Sequence, residues 1–184
     1  MMTVENQETA QVNPKLKQEL GVRYGIMLSI FGIILGVVSQ NISGMMPKFG
    51  VGIAGLIITI VFFVMGAKAY KKANGGMAKF GDVFAIMAIM AVISTVISTV
   101  FSYIYVMFID PGSVDRQIQD TIGMLEGFGT PEAAIDEAII EMEKMKDPAG
   151  YAVTLLKGAA GGIIFYFIIG AIVSAIVKKE EKPV

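Results

Sequence analysis

The sequence has 184 residues, of which 54% are hydrophobic and only 17% are charged, and its formal net charge is −1. Because soluble domains carry about 25% charged residues, this balance indicates a protein that folds in an apolar solvent. The sequence contains no cysteine and no histidine, which excludes disulfides, thiolate chemistry and Ser–His or Cys–His catalysis within these residues.

Four segments are apolar over lengths that suit a bilayer, whose hydrocarbon core of about 30 Å needs roughly 20 helical residues to cross. They cover residues 24–40, with a start as early as Leu20, and then 49–69, 83–109 and 158–177. The third is uncharged throughout and must tilt or project beyond the bilayer. The first follows a long leader of mixed charge without an A-x-A pattern, which favours a retained span over a cleaved signal peptide.

The distribution of charge predicts the orientation, because lysine and arginine favour the cytoplasmic side of a membrane. Ten basic residues fall on one predicted side: Lys15, Lys17, Arg23, Lys68, Lys71, Lys72, Lys79, Lys178, Lys179 and Lys182. Five fall on the other side, where residues 110–147 also hold ten of the 16 acidic residues. We therefore expect a multi-pass protein of the inner (cytoplasmic) membrane with both termini in the cytoplasm.

The predicted layout is an all-α, polytopic membrane protein. A polar cytoplasmic segment, 1–19, precedes a four-helix transmembrane domain, 20–178, and a cytoplasmic tail, 179–184, follows it. An acidic loop, 111–148, lies between the third and fourth helices and reads as an amphipathic helical hairpin. Its faces can pack on each other, on the helix bundle or on a partner; an interfacial position is disfavoured because its polar faces are acidic.

Turn and cap residues set the predicted boundaries of this loop. Asp110-Pro111 ends the third span, and Ser113 can cap a first loop helix. The sequence Gly127-Phe128-Gly129 ends that helix, and Thr130-Pro131-Glu132 begins a second one with a cap at Thr130, a first-turn proline and an acidic residue near the positive end of the helix dipole. Asp147-Pro148 ends the second helix and can cap the entry to the fourth span. Apolar stripes follow at helical spacing, with Val114, Ile118, Ile122 and Leu125 on the first helix and Ile135, Ala138, Ile139, Met142 and Met145 on the second.

The second loop helix suggests two metal-binding hypotheses, and in both cases an ordinary structural role for the side chains is favoured. Asp136, Glu137 and Glu141 could collect a divalent cation, but they lack the spacing of a calcium loop and fit a solvated face. Met142 and Met145 could bind copper(I), but two methionines on an apolar stripe usually pack. We therefore predict no metal site, no cofactor and no catalytic residue.

Small and hydroxylated residues inside the spans mark faces where helices approach closely, because lipid offers no hydrophobic drive for helix association. The candidate small-residue packing positions are Gly32, Gly36, Gly158, Gly162, Gly170 and Ser174. A repeated Ile-Ser-Thr-Val unit in the third span aligns the hydroxyl or phenol side chains of Ser94, Thr95, Ser98, Thr99, Ser102 and Tyr103. This face either packs against a neighbouring helix or lines a solute path; packing is favoured, since the spans hold no central ionisable residue.

Three stretches together resemble a known family. They are Phe80-Gly81-Asp82-Val83-Phe84, the segment from Ser102 to Pro111 (SYIYVMFIDP), and the acidic Met-containing loop followed by a Gly-rich last span. This order resembles the bacterial membrane family catalogued as domain of unknown function 4199, from about Gly21 to the C terminus. The resemblance implies a four-span inner-membrane protein without an assigned biochemical function, and it carries over no catalytic or ligand residues.

The function expected from these features is that of a non-enzymatic structural or interaction component of the bacterial inner membrane. The expected partners are the lipid bilayer and either a second copy of the chain or other membrane proteins. The alternative is a small-solute transporter or channel that uses the Ser/Thr face of the third helix. Nucleic-acid binding is not expected, because the basic loop between the second and third spans is short and its charges are scattered.

Overall fold

The computed structural model describes residues 14–178, so the predictions for 1–13 and 179–184, including Lys179 and Lys182, lie outside the described residues. The described chain is helical with short connections. Six α-helices follow one another as α1 (Pro14–Asn41), α2 (Met45–Ala73), α3 (Phe80–Ile104), α4 (Ser113–Gly127), α5 (Glu132–Glu143) and α6 (Pro148–Val177). A π-helical turn, Tyr105–Ile109, continues α3, and a 3₁₀ turn, Lys144–Lys146, follows α5.

Four helices are long and apolar enough to cross a membrane, which confirms the predicted all-α polytopic fold. They are Lys15–Asn41, Met46–Ala73, Phe80–Ile109 and Pro148–Val177, with mean hydropathies of 1.9, 2.5, 2.4 and 2.4 over their best windows. Each helix is longer than the segment predicted from hydropathy alone. At most ends the helix continues into the polar residues that flank the apolar run, such as Lys17 in α1 and Lys71 in α2.

The start of α6 shows this extension most clearly, because α6 begins ten positions before the predicted span at Gly158. The Asp147 carboxylate accepts hydrogen bonds from the backbone N–H groups of Ala149 and Gly150, both at 3.0 Å. Pro148 occupies the first helical turn, where a missing N–H costs nothing. The predicted cap at Asp147 is therefore present, and it sets the first residue of α6.

The predicted caps at Ser113 and Thr130 were wrong. The N-terminal cap position of α4 is Gly112, and the buried Ser113 hydroxyl has no hydrogen-bond partner in the described chain. The backbone N–H of Ser113 donates to Asp110 O at 3.1 Å, so the turn after α3 runs directly into α4. At the start of α5, Pro131 takes the cap position with ψ 140°, one residue after Thr130.

Two separate hydrophobic clusters hold the molecule together. The terminal core lies near the start of α1 and the end of α6, and consists of Leu20, Leu28, Phe62, Phe63, Ala67, Tyr70, Ala78, Val83, Ile86, Met87, Met90, Ala91, Ile169 and Val173. The loop core consists of Tyr105, Val106, Val114, Ile118, Met145 and Tyr151. The apolar stripe of α4 therefore packs on the end of α3 and the beginning of α6.

The helix α3 is the centre of the bundle, with its most extensive contacts to α1 and α6, while α2 contacts α1 more than it contacts α6. Polar contacts tie the terminal end together: Lys17 Nζ lies 2.9 Å from Asp82 Oδ1, and Lys71 Nζ donates to Val177 O at 3.0 Å. At the other end, Lys48 of α2 pairs with Asp120 of α4. The end that carries α4 and α5 is called the loop end below.

Candidate binding cavity

The close packing of the four spanning helices extends over only part of their length. Counted from the terminal end, the last fully buried side chain of α1 is Ser29 and that of α2 is Thr59. On α3, burial stops at Ser94 and resumes at the π turn. On α6, no described residue between Tyr151 and Ile169 is fully buried. The helices therefore leave a gap between the terminal core and the loop core.

This gap is a cavity of about 940 Å³ that all four spanning helices line. Its walls are mostly apolar and include Leu35 of α1, Leu56 of α2 and Leu155 of α6. Phe49 and Phe165 also line it while remaining 64% and 51% exposed, so the cavity has an open side between α2 and α6. The two helices are in contact nearer the terminal end, where the rings of Phe63 and Tyr166 are 6.2 Å apart.

The hydroxyl face predicted on the third span lies against this cavity. Ser94, Thr95, Ser98, Thr99 and Ser102 all line it. Ser94 is buried and donates to the carbonyl of Ala91 at 3.2 Å, whereas the buried Thr95 hydroxyl has no hydrogen-bond partner in the described chain. Tyr103 is the member that does not line the cavity.

Tyr103 instead stacks on Tyr151, with ring centroids 6.3 Å apart. Because Tyr151 itself lines the cavity, Tyr103 supports the wall from behind. Tyr151 of α6 therefore forms part of the cavity wall toward the loop end, and the hydroxyl side chains of α3 form its polar strip.

The predicted small-residue positions divide into two groups. Gly32, Gly36, Gly158 and Gly162 line the cavity. A Cβ added at Gly36, Gly158 or Gly162 would meet nothing within 4 Å, and one added at Gly32 would lie 3.6 Å from Ser98 Oγ. These glycines widen the cavity rather than bring two helices into contact.

Gly170 and Ser174 belong to the terminal core instead. A Cβ on Gly170 would lie 3.3 Å from Met87 Cβ, and the Ser174 hydroxyl donates to Gly170 O at 2.6 Å. A closer approach of two helices involves Gly21 and Gly25, which the candidate set omitted, although they share the four-residue spacing of Gly32 and Gly36. That spacing is the signal by which the sequence could have identified Gly21 and Gly25 as packing positions.

An ion pair stands at the loop end of the cavity. Lys48 is the single charged side chain among the described residues that line it, and its ammonium donates to the Asp120 carboxylate. Asp120 also accepts from the backbone N–H of Gly44 at 3.3 Å. The hydrogen bond from Lys48 is the largest cause that holds the pKa of Asp120 below its ordinary value.

A smaller, polar pocket of about 220 Å³ lies on the other side of this ion pair. Its lining includes Asp120 together with Gln40, Asp115 and Arg116. The side-chain oxygen Oε1 of Gln40 is buried without a hydrogen-bond partner in the described chain. The Arg116 guanidinium is bound to Asp110, and this hydrogen bond is the largest cause that raises the pKa of Arg116.

The side chains behind the two metal hypotheses are placed elsewhere. Met145 is buried in the loop core and Met142 packs partly buried against it. Asp136, Glu137 and Glu141 are exposed, and Glu141 pairs with Lys144. Across residues 14–178, no three carboxylate side chains are grouped so that they could hold a metal ion.

A family model described as "Protein of unknown function (DUF4199)" matches residues 19–179. The chain belongs to this family. The match covers the spanning helices of this DUF4199 protein, except the first residues of α1, together with the loop helices. No curated protein and no solved structure matches the chain. The DUF4199 assignment thus confirms the resemblance seen in the sequence, and it assigns no biochemical function.

Proposed function

We propose that this DUF4199 protein is a non-enzymatic component of the bacterial inner membrane that acts by binding another membrane molecule. The observation that carries the proposal is the open cavity of about 940 Å³ between α2 and α6. Ligand-binding cavities typically enclose about 300–1,000 Å³ and combine apolar walls with a few polar groups. The absence of histidine and cysteine from the sequence supports a binding role over catalysis.

The proposed orientation places both termini in the cytoplasm and α4 and α5 on the opposite side. The basic residues of the α2–α3 connection and the acidic composition of α4 and α5 support it. The open side of the cavity then faces the outer leaflet of the inner membrane. Its natural occupant is a lipid, a second copy of the chain or a helix of another membrane protein.

Site-specific photocrosslinking from inside the cavity tests this proposal. A photoreactive amino acid at Ser98 faces the cavity, whereas the same residue at Val100 of the same helix is a control, because Val100 is 55% exposed and does not line the cavity. We expect a discrete adduct from position 98 that position 100 does not give. Identical products from both positions would count against a binding role for the cavity.

A second candidate, a small-solute transporter or channel, is favoured by one observation: Ser98, Thr99 and Ser102 line the cavity with hydroxyl groups. The terminal core argues against a continuous path, because Phe63, Tyr70 and Met90 are fully buried in it. Solute flux in proteoliposomes that disappears when Ser94, Ser98 and Ser102 are all changed to alanine would favour transport. Unchanged flux would remove the hydroxyl face from that role.

A further inference from the structure

We infer that the cavity and the adjoining polar pocket together hold one phospholipid with an amine-bearing headgroup. One of its two acyl chains lies in the cavity, its phosphate lies at Lys48, and its ammonium lies in the polar pocket beyond Asp120. This inference rests on the proposed function and names the chemical class of its ligand. Three properties of the site carry it: depth, wall chemistry and the arrangement of charge.

The depth of the cavity matches a single leaflet. Along α2 its lining runs from Lys48 to Thr59, which corresponds to about 16 Å at a helical rise of 1.5 Å per residue. Half of a hydrocarbon core is about 15 Å. An acyl chain entering at the level of Lys48 would therefore reach the closed end at Thr59 and Ser94 near the bilayer midplane.

The wall chemistry suits an acyl chain that enters from the side. Exposed Phe49 and Phe165 flank the open side, and the space in front of Gly158 and Gly162 is empty. Lipid chains enter such an opening directly from the bilayer, without crossing water. The hydroxyl side chains of α3 run along the cavity from Ser94 at the closed end to Ser102 toward the loop end, where the ester groups next to the phosphate find a hydrogen-bond donor.

The arrangement of charge selects the headgroup. An ammonium group has three N–H donors, and Lys48 uses one on Asp120, so donors remain for a phosphate oxygen. On the far side of Asp120 the polar pocket offers acceptors for a cation: the Asp120 and Asp115 carboxylates and the unpartnered oxygen of Gln40.

All the charged side chains that line the polar pocket already have one partner, and that of Asp120 is Lys48. The guanidinium of Arg116 is bound to Asp110, and Lys146 lies 2.9 Å from Asp115. A headgroup that carries only negative charge would bring no cation to the carboxylate and amide oxygens of the pocket. A zwitterionic headgroup with its phosphate toward Lys48 and its amine toward Asp120 matches both signs of charge.

Filling the cavity tests the position of the acyl chain. Gly162→Leu projects a side chain into the cavity, and Gly161→Leu makes the same change at the neighbouring, exposed position that does not line it. Lipid retained by each purified protein in mild detergent is extracted and quantified. We expect G162L to retain several-fold less phospholipid than the unaltered protein, and G161L to retain the same amount.

A Gly158→Leu variant provides the same test should G162L fail to fold, because Gly158 also lines the cavity with empty space in front of it. Equal lipid retention in the cavity-filling and control variants would overturn the inference. The measurement uses the full chain, and circular dichroism of each variant separates loss of the fold from loss of lipid.

Headgroup selectivity is tested in nanodiscs that contain phosphatidylethanolamine and phosphatidylglycerol in equal amounts. Native mass spectrometry of the released protein measures which lipid stays bound. We expect the unaltered protein to favour phosphatidylethanolamine, and Asp120→Asn to lower that preference by about two- to fivefold, the scale of a partly exposed charge interaction. Lys48→Gln should reduce the retention of both lipids. Lys157→Gln alters an exposed lysine of α6 that does not line the cavity, and it should change the retention of neither lipid.

The two proposals fail in different ways. A discrete protein adduct from the photoreactive residue at position 98 would sink the lipid assignment and leave the binding role intact. A bound lipid without headgroup preference, or with a preference for phosphatidylglycerol, would also overturn the assignment. Position 98 giving the same products as position 100 would overturn both proposals.

Discussion

Gly25 of α1 and Met90 of α3 approach so closely that a Cβ added to Gly25 would lie 3.1 Å from Met90 Cα. One turn earlier, a Cβ at Gly21 would lie 2.7 Å from Ile89 Cβ. In a lipid environment such close contacts between helix backbones are a principal source of association. The α1–α3 pair therefore owes its packing to two glycines, and the cavity begins where this contact ends.

The first prediction follows from this contact. Gly25→Ala should lower the thermal stability of the detergent-solubilised protein, because overpacking costs about 1–3 kcal/mol and outweighs the gain in helix propensity of about 1 kcal/mol. Gly36→Ala on the same helix meets open space and should be neutral or stabilising. Thermal unfolding followed by circular dichroism measures both. Equal stability of the two variants would contradict the importance of the α1–α3 contact.

The ion pair between Lys17 and Asp82 gives a second prediction. These side chains are only 22% and 13% exposed, and they join the first turns of α1 and α3. Asp82→Asn should therefore destabilise the protein by about 1–3 kcal/mol, the usual range for a hydrogen bond to a charged group. The exchanged pair, Lys17→Asp with Asp82→Lys, should recover part of the loss, while Lys72→Gln on an exposed lysine should have no effect. Unchanged stability of the D82N variant would show that the ion pair between Lys17 and Asp82 does not stabilise the fold.

The third prediction concerns pH at the loop end. Because the hydrogen bond from Lys48 lowers the pKa of Asp120 in the folded protein, the pair stabilises the docking of α4 at pH values above the ordinary aspartate pKa of 3.8. This contribution is lost as the pH falls through the lowered pKa of the folded state. The protection factors of the α4 amides, from which the intrinsic pH dependence of hydrogen exchange is divided out, should therefore fall at acidic pH.

Asp120→Asn provides the comparison for that measurement. It should give faster exchange at neutral pH and a smaller acid-induced change, since the ionisable partner is gone. Asp136→Asn, on the exposed face of α5, should behave like the unaltered protein. An acid response of the same size in D120N would assign the effect to another group.

The fourth prediction tests the proposed orientation. The sequence has no cysteine, so single cysteines can be introduced without background labelling. Phe128→Cys, in the exposed turn after α4, should react with a membrane-impermeant maleimide in spheroplasts, in which the periplasmic face of the inner membrane is accessible. Ala73→Cys, at the exposed end of α2, should react only after the membrane is permeabilised. The reverse labelling pattern would show that α4 lies on the cytoplasmic side and would overturn the proposed orientation.

Local signals in the sequence specified part of this structure. The uncharged length of each apolar segment predicted four spans, because only a bilayer interior accommodates four such segments in a short chain. Asp147-Pro148 predicted the start of α6, since a cap and a first-turn proline act through neighbouring backbone atoms. Ser113 did not cap because the turn at Asp110 already ran into α4, and only the three-dimensional path of that turn reveals this.

What the sequence alone determined is the number of membrane-crossing helices, their approximate ends and the positions of small and hydroxylated residues along them. What only the tertiary structure decided is which of those positions meet a neighbour. The spacing Gly21-x-x-x-Gly25 is identical to Gly32-x-x-x-Gly36, yet the first pair packs against α3 and the second lines a cavity. Helix periodicity fixes a face, but the distance between two faces depends on the tilt of both helices, which packing along the whole bundle sets.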